Sequence, residues 1–358
     1  MTRACLRESA HGAGSESIGI HQRAPQVFGC PECGLPIMHA YAASNPRDDG
    51  TLRCGRGHDF AIVAGLPLLV RESDRPRVLA FAVSYGRAWA KDGWGSTDPA
   101  YLVNLPYRDV THRHPGEWRV KARSAVALLS VLSPSKWLRV LDIGCGNGWL
   151  SHHLAARGHD VYAMDVVLDD TVGLGAARSY VRLGPPFQTV WGDFDHLPFL
   201  SESMDAAVCN ASLHYAGDLD LALREIARVL RPGGLVAILN SPVYNHPASA
   251  ARALSDFRAH LRDLGSIEAV ASTYHHFTRT QLRSSVGGTI GPLKEIRFDP
   301  GSWFRLSRMM KGVFLRMELA SFPVLIATKP EGPPSGSSPG TPPANRDPSR
   351  NPGAVFFV

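Results

Sequence analysis

The sequence predicts an α/β protein with a mostly parallel sheet, preceded by a small cysteine-containing segment. Three observations support this prediction: a glycine-rich turn after an apolar strand at residues 140–148, strands and helices that alternate up to residue 239, and Cys and His residues spaced as two pairs within residues 30–58. Alternating strands and helices favour a parallel sheet with ligands at the carboxyl ends of its strands. With 358 residues, 44% of them hydrophobic, the chain is long enough for two ordered domains.

The glycine-rich turn has the sequence Val-Leu-Asp-Ile-Gly-Cys-Gly-Asn-Gly. Gly144, Gly146 and Gly148 allow a sharp turn and a close approach of the backbone to a ligand at the start of a helix. The spacing is Gly-x-Gly-x-Gly, whereas dinucleotide enzymes carry Gly-x-Gly-x-x-Gly. Asp142 is expected to place a carboxylate at the mouth of the turn, which suits a cationic amino-acid tail better than a pyrophosphate. The turn therefore favours S-adenosylmethionine over NAD, although such a turn also occurs in tight strand-to-helix packing.

The elements after this turn alternate between helix and strand. A helix is predicted at residues 149–157, a second strand at 160–164 and a third at 187–191. A buried fourth strand at 204–210 and a fifth at 235–239 are separated by an amphipathic helix. The alternation places several polar side chains at one edge of the predicted sheet.

Three residues beyond the glycine turn are candidate cofactor contacts. Asp165 ends the second strand about 20 residues beyond the turn, where doubly wound folds place the acid that binds ribose hydroxyls. Asp193 follows the third strand and could accept a hydrogen bond from an adenine amine, while Phe194 offers an apolar face. Alternatively, Asp193 is an acid that caps its own loop.

Candidate catalytic residues follow the fourth strand, which ends at Asn210. His214 is the best candidate for a general base. An imidazole there is expected near the methyl group of a bound S-adenosylmethionine, and it titrates in the useful pH range. Tyr215 is a weaker candidate. Equally, His214 could line the pocket or cap the next helix.

Residues 138–241 resemble the class I S-adenosylmethionine-dependent methyltransferases in the order and spacing of several motifs. The glycine turn, the acid after the second strand, a Gly-Asp-x-x-x-Leu-Pro-Phe loop and an Arg-Val-Leu-Arg-Pro-Gly-Gly turn are all present. The resemblance implies a Rossmann-like sheet of seven strands, of which the last two form an antiparallel pair. We expect cofactor contacts from residues along the sheet edge: Asp142, Gly144, Cys145, Gly146, Gly148, Asp165, Asp193, Phe194 and Asn210.

The amino-terminal region contains a candidate metal site. Cys30 and Cys33 form a Cys-x-x-Cys turn, and Cys54 with His58 would complete a Cys₃His tetrahedron of the structural zinc type. The alternative is a set of unrelated thiols with a surface histidine. Residues 27–70 resemble the zinc ribbons of small methyltransferase activators and of bacterial ribosomal RNA guanine methyltransferases. The resemblance implies a ribbon that grips RNA, stabilises the catalytic domain or completes the fold.

Composition and spacing divide the chain into five segments. They are a disordered start (1–26), the ribbon (27–72), a helical lid or linker (73–137), the methyltransferase domain (138–329, with an acceptor cap at about 242–316) and a disordered Pro/Gly/Ser-rich tail (330–358). No apolar run approaches the roughly 20 residues of a membrane span, and the start resembles no signal peptide. We therefore expect a cytoplasmic protein without membrane contact.

The predicted function is methyl transfer to an oxygen or nitrogen of a small-molecule acceptor. Aromatic residues in the lid, the Leu-His-Tyr segment and the lack of an Asn-Pro-Pro motif after the fourth strand favour a small molecule. The ribbon and the basic segments that flank the core favour the alternative, an RNA base. A non-catalytic scaffold is a third hypothesis, and it requires a damaged cofactor site.

Overall fold

The structure is a computed structural model, and it describes residues 27–41, 49–132, 136–180, 183–265, 268–315 and 317–331. The two segments for which disorder is predicted, residues 1–26 and nearly all of 330–358, lie outside these ranges. Within them, every helix is too short or too polar to cross a membrane.

The amino-terminal segment folds as a four-stranded antiparallel sheet. Its strands follow one another in space as in sequence: β1 (Ile37–Tyr41), β2 (Gly50–Cys54), β3 (Asp59–Val63) and β4 (Leu66–Pro67). Leu52 pairs with Phe60, and both side chains are buried. Gly65, with φ of 79°, allows the tight turn between β3 and β4.

Three helices follow the small sheet. They are α1 (Arg75–Lys91), α2 (Pro99–Asn104) and α3 (Pro115–Val131), and each has a proline in its first turn, where the missing N–H has no helical partner to lose. The Asp98 carboxylate caps α2 by accepting from the Ala100 N–H.

The central domain begins with alternating strands and helices. They are β5 (Arg139–Ile143), α4 (Trp149–Ala155), β6 (Asp160–Asp165), α5 (Leu174–Ser179), β7 (Gln188–Trp191), β8 (Met204–Asn210), α6 (Leu219–Val229) and β9 (Leu230–Leu239). The buried face of α6 comprises Ala222, Leu223, Ile226 and Val229, the spacing of an amphipathic helix. A single 3₁₀ turn, Leu213–Tyr215, follows β8.

The fifth strand of the central domain starts earlier than the sequence predicts. Leu230 already pairs with Met204, and the pairing resumes in regular register at Leu235 opposite Ala206. The intervening Pro-Gly-Gly turn therefore forms a bulge within β9 and does not precede it.

A cap follows β9. Strand β10 (Val243–Tyr244) pairs in parallel with β11 (Phe277–Thr278), and the helices are α7 (Pro247–Asp263), α8 (Glu268–Thr273), α9 (Arg279–Thr289) and α10 (Ser302–Leu315). Strands β12 (Lys294–Ile296) and β13 (Val324–Thr328) return to the central sheet.

The central sheet has seven strands in the order β12-β13-β9-β8-β5-β6-β7. Strand β13 is antiparallel to both of its neighbours, and the remaining pairings are parallel. The expected Rossmann-like sheet of seven mostly parallel strands is confirmed. The strand order reverses at β5, so the carboxyl ends of β5 and β8 border a natural ligand crevice.

The small amino-terminal sheet is attached to the β7 edge of the central sheet. The Leu69 N–H donates to the Trp191 carbonyl at 2.9 Å, and Leu68 forms a parallel bridge with Trp191. The Phe28 ring packs against Tyr162 and Phe199, with centroid distances of 5.9 and 5.6 Å. The small sheet thus covers an edge strand whose backbone would otherwise face solvent.

Candidate functional site

The glycine turn after β5 is strained for any residue but glycine. Gly144, Gly146 and Gly148 have φ of 71°, 56° and 80°, in the left-handed region. A Cβ on Gly144 would lie 2.4 Å from the Cβ of Ser212, which follows β8. The turn therefore needs glycine for its conformation. At Gly144 it also needs glycine for packing against Ser212.

Asp165, at the end of β6, holds this turn from the side. Its carboxylate accepts from the Gly146 N–H at 2.7 Å and from the Val167 N–H at 2.8 Å, and burial raises its pKa to about 6. A carboxylate has about four acceptor sites. The Val166 N–H is a third backbone donor, so roughly one acceptor site remains for a donor in the adjoining cavity of about 760 Å³, which we call the Asp165 cavity.

Asp193 and Phe194 line the same cavity. The Asp193 carboxylate accepts from the Phe194 N–H at 2.7 Å and forms an ion pair with Arg77 at 2.7 Å. Arg77, on α1, also pairs with Asp195 at 3.0 Å. These bonds fix the loop after β7 and tie it to the helix that lies across it.

Helix α1 forms one wall of the Asp165 cavity. Besides Arg77, the side chains of Val78, Phe81 and Tyr85 line the cavity, one helical turn apart on the same face. The segment for which a lid is predicted therefore lies against the candidate cofactor contacts.

Two candidate cofactor residues lie away from the cavity. Asp142 is 1% exposed, accepts from the Ser151 hydroxyl at 2.6 Å, and has its pKa raised to about 7 by burial. The prediction that it lies at the mouth of the turn is wrong, because its side chain faces α4. Gly148 also serves packing, since a Cβ there would lie 2.8 Å from the Ala177 Cβ.

A second cavity of about 920 Å³ adjoins the first. The two share Tyr85, Gly144, Gly146, Ala211 and Tyr215 as walls. Asn210 and Cys145 line the second cavity, and the Asn210 side-chain oxygen accepts from the Asn240 amide at 2.8 Å. The glycine turn therefore has one cavity on each side.

Aromatic side chains dominate the second cavity, which we call the aromatic cavity. They come from the helical segment, the central domain and the cap: Tyr85, Trp89, Trp94, Tyr101, Trp118, Trp149, Tyr215, Phe257, Tyr274 and Phe322. Among the residues that the structure describes, no Asp or Glu lines it, and Lys121 is its one Lys or Arg. Such walls suit a small ligand with an apolar body.

His214 lies in the wall of the aromatic cavity and is 5% exposed. Its Nδ1 is 3.1 Å from the Ser241 hydroxyl oxygen, and its ring packs against Tyr274 at 4.8 Å. Burial, with smaller effects of neighbouring cationic groups, lowers its pKa to about 3. The expectation that it titrates near neutral pH is therefore wrong, because desolvation disfavours the imidazolium.

Tyr215 lies between the two cavities. Its ring packs edge-on against Tyr85 at 5.1 Å, and burial raises its pKa well above the usual value. The phenol is therefore neutral at physiological pH, able to offer a hydrogen bond but not to act as a phenolate.

Several residues at these cavities are not among the site residues predicted from the sequence. Tyr85 stands four residues after Phe81 and four before Trp89, a spacing that places all three on one helix face. Lys121 follows Trp118 by three residues, so its position beside an indole was also predictable. The cap residues Phe257 and Tyr274 carry no comparable local signal, because tertiary packing alone brings them here.

The candidate metal ligands come together in the small amino-terminal domain, on two turns and at the end of β2. The ligand atoms of Cys30, Cys33, Cys54 and His58 all lie within 4.8 Å of one another. The Cys33–Cys54 sulfur distance is 3.7 Å, and the His58 Nδ1 lies 3.5 and 3.3 Å from the Cys30 and Cys54 sulfurs. Tetrahedral zinc with bonds of about 2.0–2.3 Å separates its ligand atoms by roughly 3.5–3.8 Å. Three of the six ligand-atom distances therefore lie close to those of such a site, and all six are within 4.8 Å.

Comparison with known proteins identifies the central domain. Residues 141–238 match the family described as "Methyltransferase domain". The malonyl-[acyl-carrier protein] O-methyltransferase of Erwinia billingiae is 32% identical over 154 residues, which cover 43% of this chain and 58% of that protein. The enzyme of the same name from Dechloromonas aromatica is 30% identical over 163 residues, 43% of this chain and 59% of its own length.

The similarity is confined to part of each protein. The chain spans between 34% and 59% of the length of the curated relatives it matches. A solved S-adenosylmethionine-dependent methyltransferase from Mesorhizobium loti is 22% identical, covers 60% of this chain and 99% of its own, and has a TM-score of 0.42. The matched family and the seven-stranded sheet agree with the motifs of the sequence. The chain therefore contains an S-adenosylmethionine-dependent methyltransferase domain with the class I fold.

Proposed function

We propose that this protein transfers the methyl group of S-adenosylmethionine to an oxygen atom of a small-molecule acceptor held in the aromatic cavity. The observation that carries the proposal is the shared wall of the two cavities at Gly144, Gly146 and Tyr215. A cofactor in the Asp165 cavity and an acceptor in the aromatic cavity would meet there, as an in-line displacement requires.

The residues of the Asp165 cavity suit the cofactor. Asp165 would accept from the ribose hydroxyls, Asp193 from the adenine amine, and Phe194 would pack against the ring. When bound, S-adenosylmethionine would supply an electrophilic methyl carbon, and the electron pair of the broken carbon–sulfur bond would stay on sulfur as the methyl group passes to the acceptor oxygen. Gly144, Gly146, Asp165, Asp193 and Phe194 line this cavity, which counts against a non-catalytic scaffold.

An oxygen nucleophile is supported by the relatives and by the cavity. The relatives named above are O-methyltransferases for a malonyl group on a carrier protein. Because His214 is buried and its pKa is lowered to about 3, it is a weak base at neutral pH. An acceptor oxygen that carries no proton suits this arrangement better than an alcohol. An RNA base is not favoured.

The amino-terminal cluster supports a second, independent proposal: that residues 27–72 hold a structural zinc ion through Cys30, Cys33, Cys54 and His58. The spacing of the ligand atoms suits a tetrahedral ion, and the four residues lie on the two turns of the small amino-terminal domain and at the end of β2. We propose that the ribbon stabilises the β7 edge, with the helical segment 73–137 as lid, the domain 138–329 as catalytic unit and the region of about 242–316 as acceptor cap.

A sorting experiment tests the proposed reaction. The purified protein is incubated with methyl-labelled S-adenosylmethionine and, in separate reactions, with a fraction of small metabolites and with total RNA. We expect label in the metabolite fraction, released by mild alkali as an ester would be. The Asp165→Ala variant is the control for cofactor-dependent labelling. Label confined to RNA would overturn the proposal.

A further inference from the structure

Lys121 places an ammonium group in the wall of the aromatic cavity. The residue belongs to α3, and its Nζ lies 4.2 Å from the ring centroid of Trp94 and 4.6 Å from that of Trp118. Two indole faces attract the cation and restrict where it can point. The group is therefore held in a defined place at the cavity surface.

The charge of Lys121 is not neutralised by a neighbouring acid. In the described part of the chain, no ion pair joins its ammonium to a carboxylate, and Glu117, an exposed residue on the same helix, is the acidic group that acts on it. No other Lys or Arg, and no acid, contributes to the cavity wall as described. A half-buried cation with no ion pair among the described residues is held at some cost in desolvation, so its position in the cavity wall favours a ligand of opposite charge.

We propose that Lys121 binds a carboxylate group of the acceptor, so that the aromatic cavity selects carboxylate-bearing molecules. This inference rests on the proposed function of the same cavity and names its substrate class. One ammonium matches a single negative charge. A phosphate ester would carry more charge and would need the further donors that phosphate sites usually supply. The surrounding aromatic walls bind the apolar remainder of the molecule.

A carboxylate acceptor also agrees with the rest of the cavity. A carboxylate oxygen has no proton to lose before it attacks a methyl carbon, so a buried, neutral His214 does not obstruct the reaction. The product is a neutral methyl ester, which no longer pairs with the Lys121 ammonium. Product release is thereby favoured over retention.

Binding measurements test the role of Lys121 without turnover. Protein saturated with S-adenosylhomocysteine is titrated by calorimetry with malonyl-pantetheine, which has a free carboxylate, and with acetyl-pantetheine, which lacks it. The variants are Lys121→Met, Lys121→Arg and Arg119→Met, which removes an exposed positive charge from the same helix. Near-ultraviolet circular dichroism and S-adenosylhomocysteine affinity verify that each variant is folded.

The wild type should bind the malonyl thioester more tightly than the acetyl thioester by about 10- to 100-fold, the range for a hydrogen bond to a charged group. Lys121→Met should lose this preference, Lys121→Arg should keep part of it, and Arg119→Met should keep all of it. The proposal is overturned if the wild type shows no preference, or if folded Lys121→Met retains it. Intact preference without methyl transfer would refute the proposed reaction but not the carboxylate site.

Discussion

Asp165 shows how one residue serves both fold and site. Its carboxylate accepts from the backbone of the glycine turn and of its own loop, and it still borders the cavity. Because burial raises its pKa to about 6, the ionised form is held with some cost, which hydroxyl donors of a bound ribose would offset. Hydrogen bonds from a bound ligand would therefore stabilise the ionised Asp165 carboxylate, which favours ligand binding.

Replacing Asp165 should weaken cofactor binding. We expect Asp165→Ala to lose roughly 1.5–3 kcal/mol of S-adenosylmethionine binding free energy, measured by calorimetry, because a charged acceptor is removed. Asp165→Asn, which keeps an acceptor oxygen for the turn, should lose less. An unchanged affinity in a folded Asp165→Ala protein would place the ribose contact elsewhere.

Removing the His214 imidazole should have a small effect on turnover. With its pKa lowered to about 3, the ring is neutral above that pH and a carboxylate acceptor needs no base. We expect His214→Ala to lower kcat by less than about tenfold and to act mainly on the KM of the acceptor. General-base catalysis is typically worth about 10²–10⁴-fold, so a loss of that size would restore His214 as the base.

The carboxylate site predicts a pH dependence. Burial lowers the pKa of Lys121 to about 8, and the ammonium binds an anion only while protonated. The acceptor kcat/KM should therefore be high below pH 8 and fall as pH rises through about 8. Glu117 acts on Lys121 from the same helix, and the other titratable groups that line the aromatic cavity are His214, Cys145, Tyr85, Tyr101, Tyr215 and Tyr274; burial raises the pKa of the thiol and of the phenols. A decline of the same midpoint in Lys121→Met would assign it to another group.

At the scale of elements, the sequence predicts the central strands and the glycine turn, but it predicts only part of the residues that line the two cavities. Periodicity and turn residues identify β5 to β8 because each strand is buried and short. The position of Asp142 differs from the prediction because strand alternation alone does not tell which face of β5 packs against α4. The pKa of His214 could not be predicted, since it depends on burial among rings from the cap.

The proposed zinc site predicts the metal content of the purified protein. Purified protein should contain about one zinc ion per chain, and chelation should increase hydrogen exchange in residues 27–72 more than in the central domain. Cys33→Ala should lose the metal, whereas Met38→Ala, an exposed residue of β1, should retain it. Metal analysis that finds no zinc in wild-type protein, with the thiols freely alkylated, would remove the ion from this account.

At the scale of the whole molecule, three separate parts of the chain contribute to the wall of the aromatic cavity. Trp89 and Trp118 come from helices ahead of the central domain, Trp149 and Tyr215 from that domain, and Phe257 from the cap. The family match covers the central residues 141–238 alone. The matched segment therefore supplies only part of the cavity wall, including Trp149 and Tyr215, and we expect the flanking segments to contribute to acceptor choice.

Identifying the atom that is methylated tests the proposed reaction most directly. Wild-type protein with methyl-labelled S-adenosylmethionine and malonyl-pantetheine should yield the methyl ester of the free malonyl carboxylate, identified by mass spectrometry and fragmentation. Lys121→Met should form it with a raised KM, and Arg119→Met at the wild-type rate. Methylation of a nitrogen or of RNA in its place, by protein that binds the cofactor normally, would contradict the account.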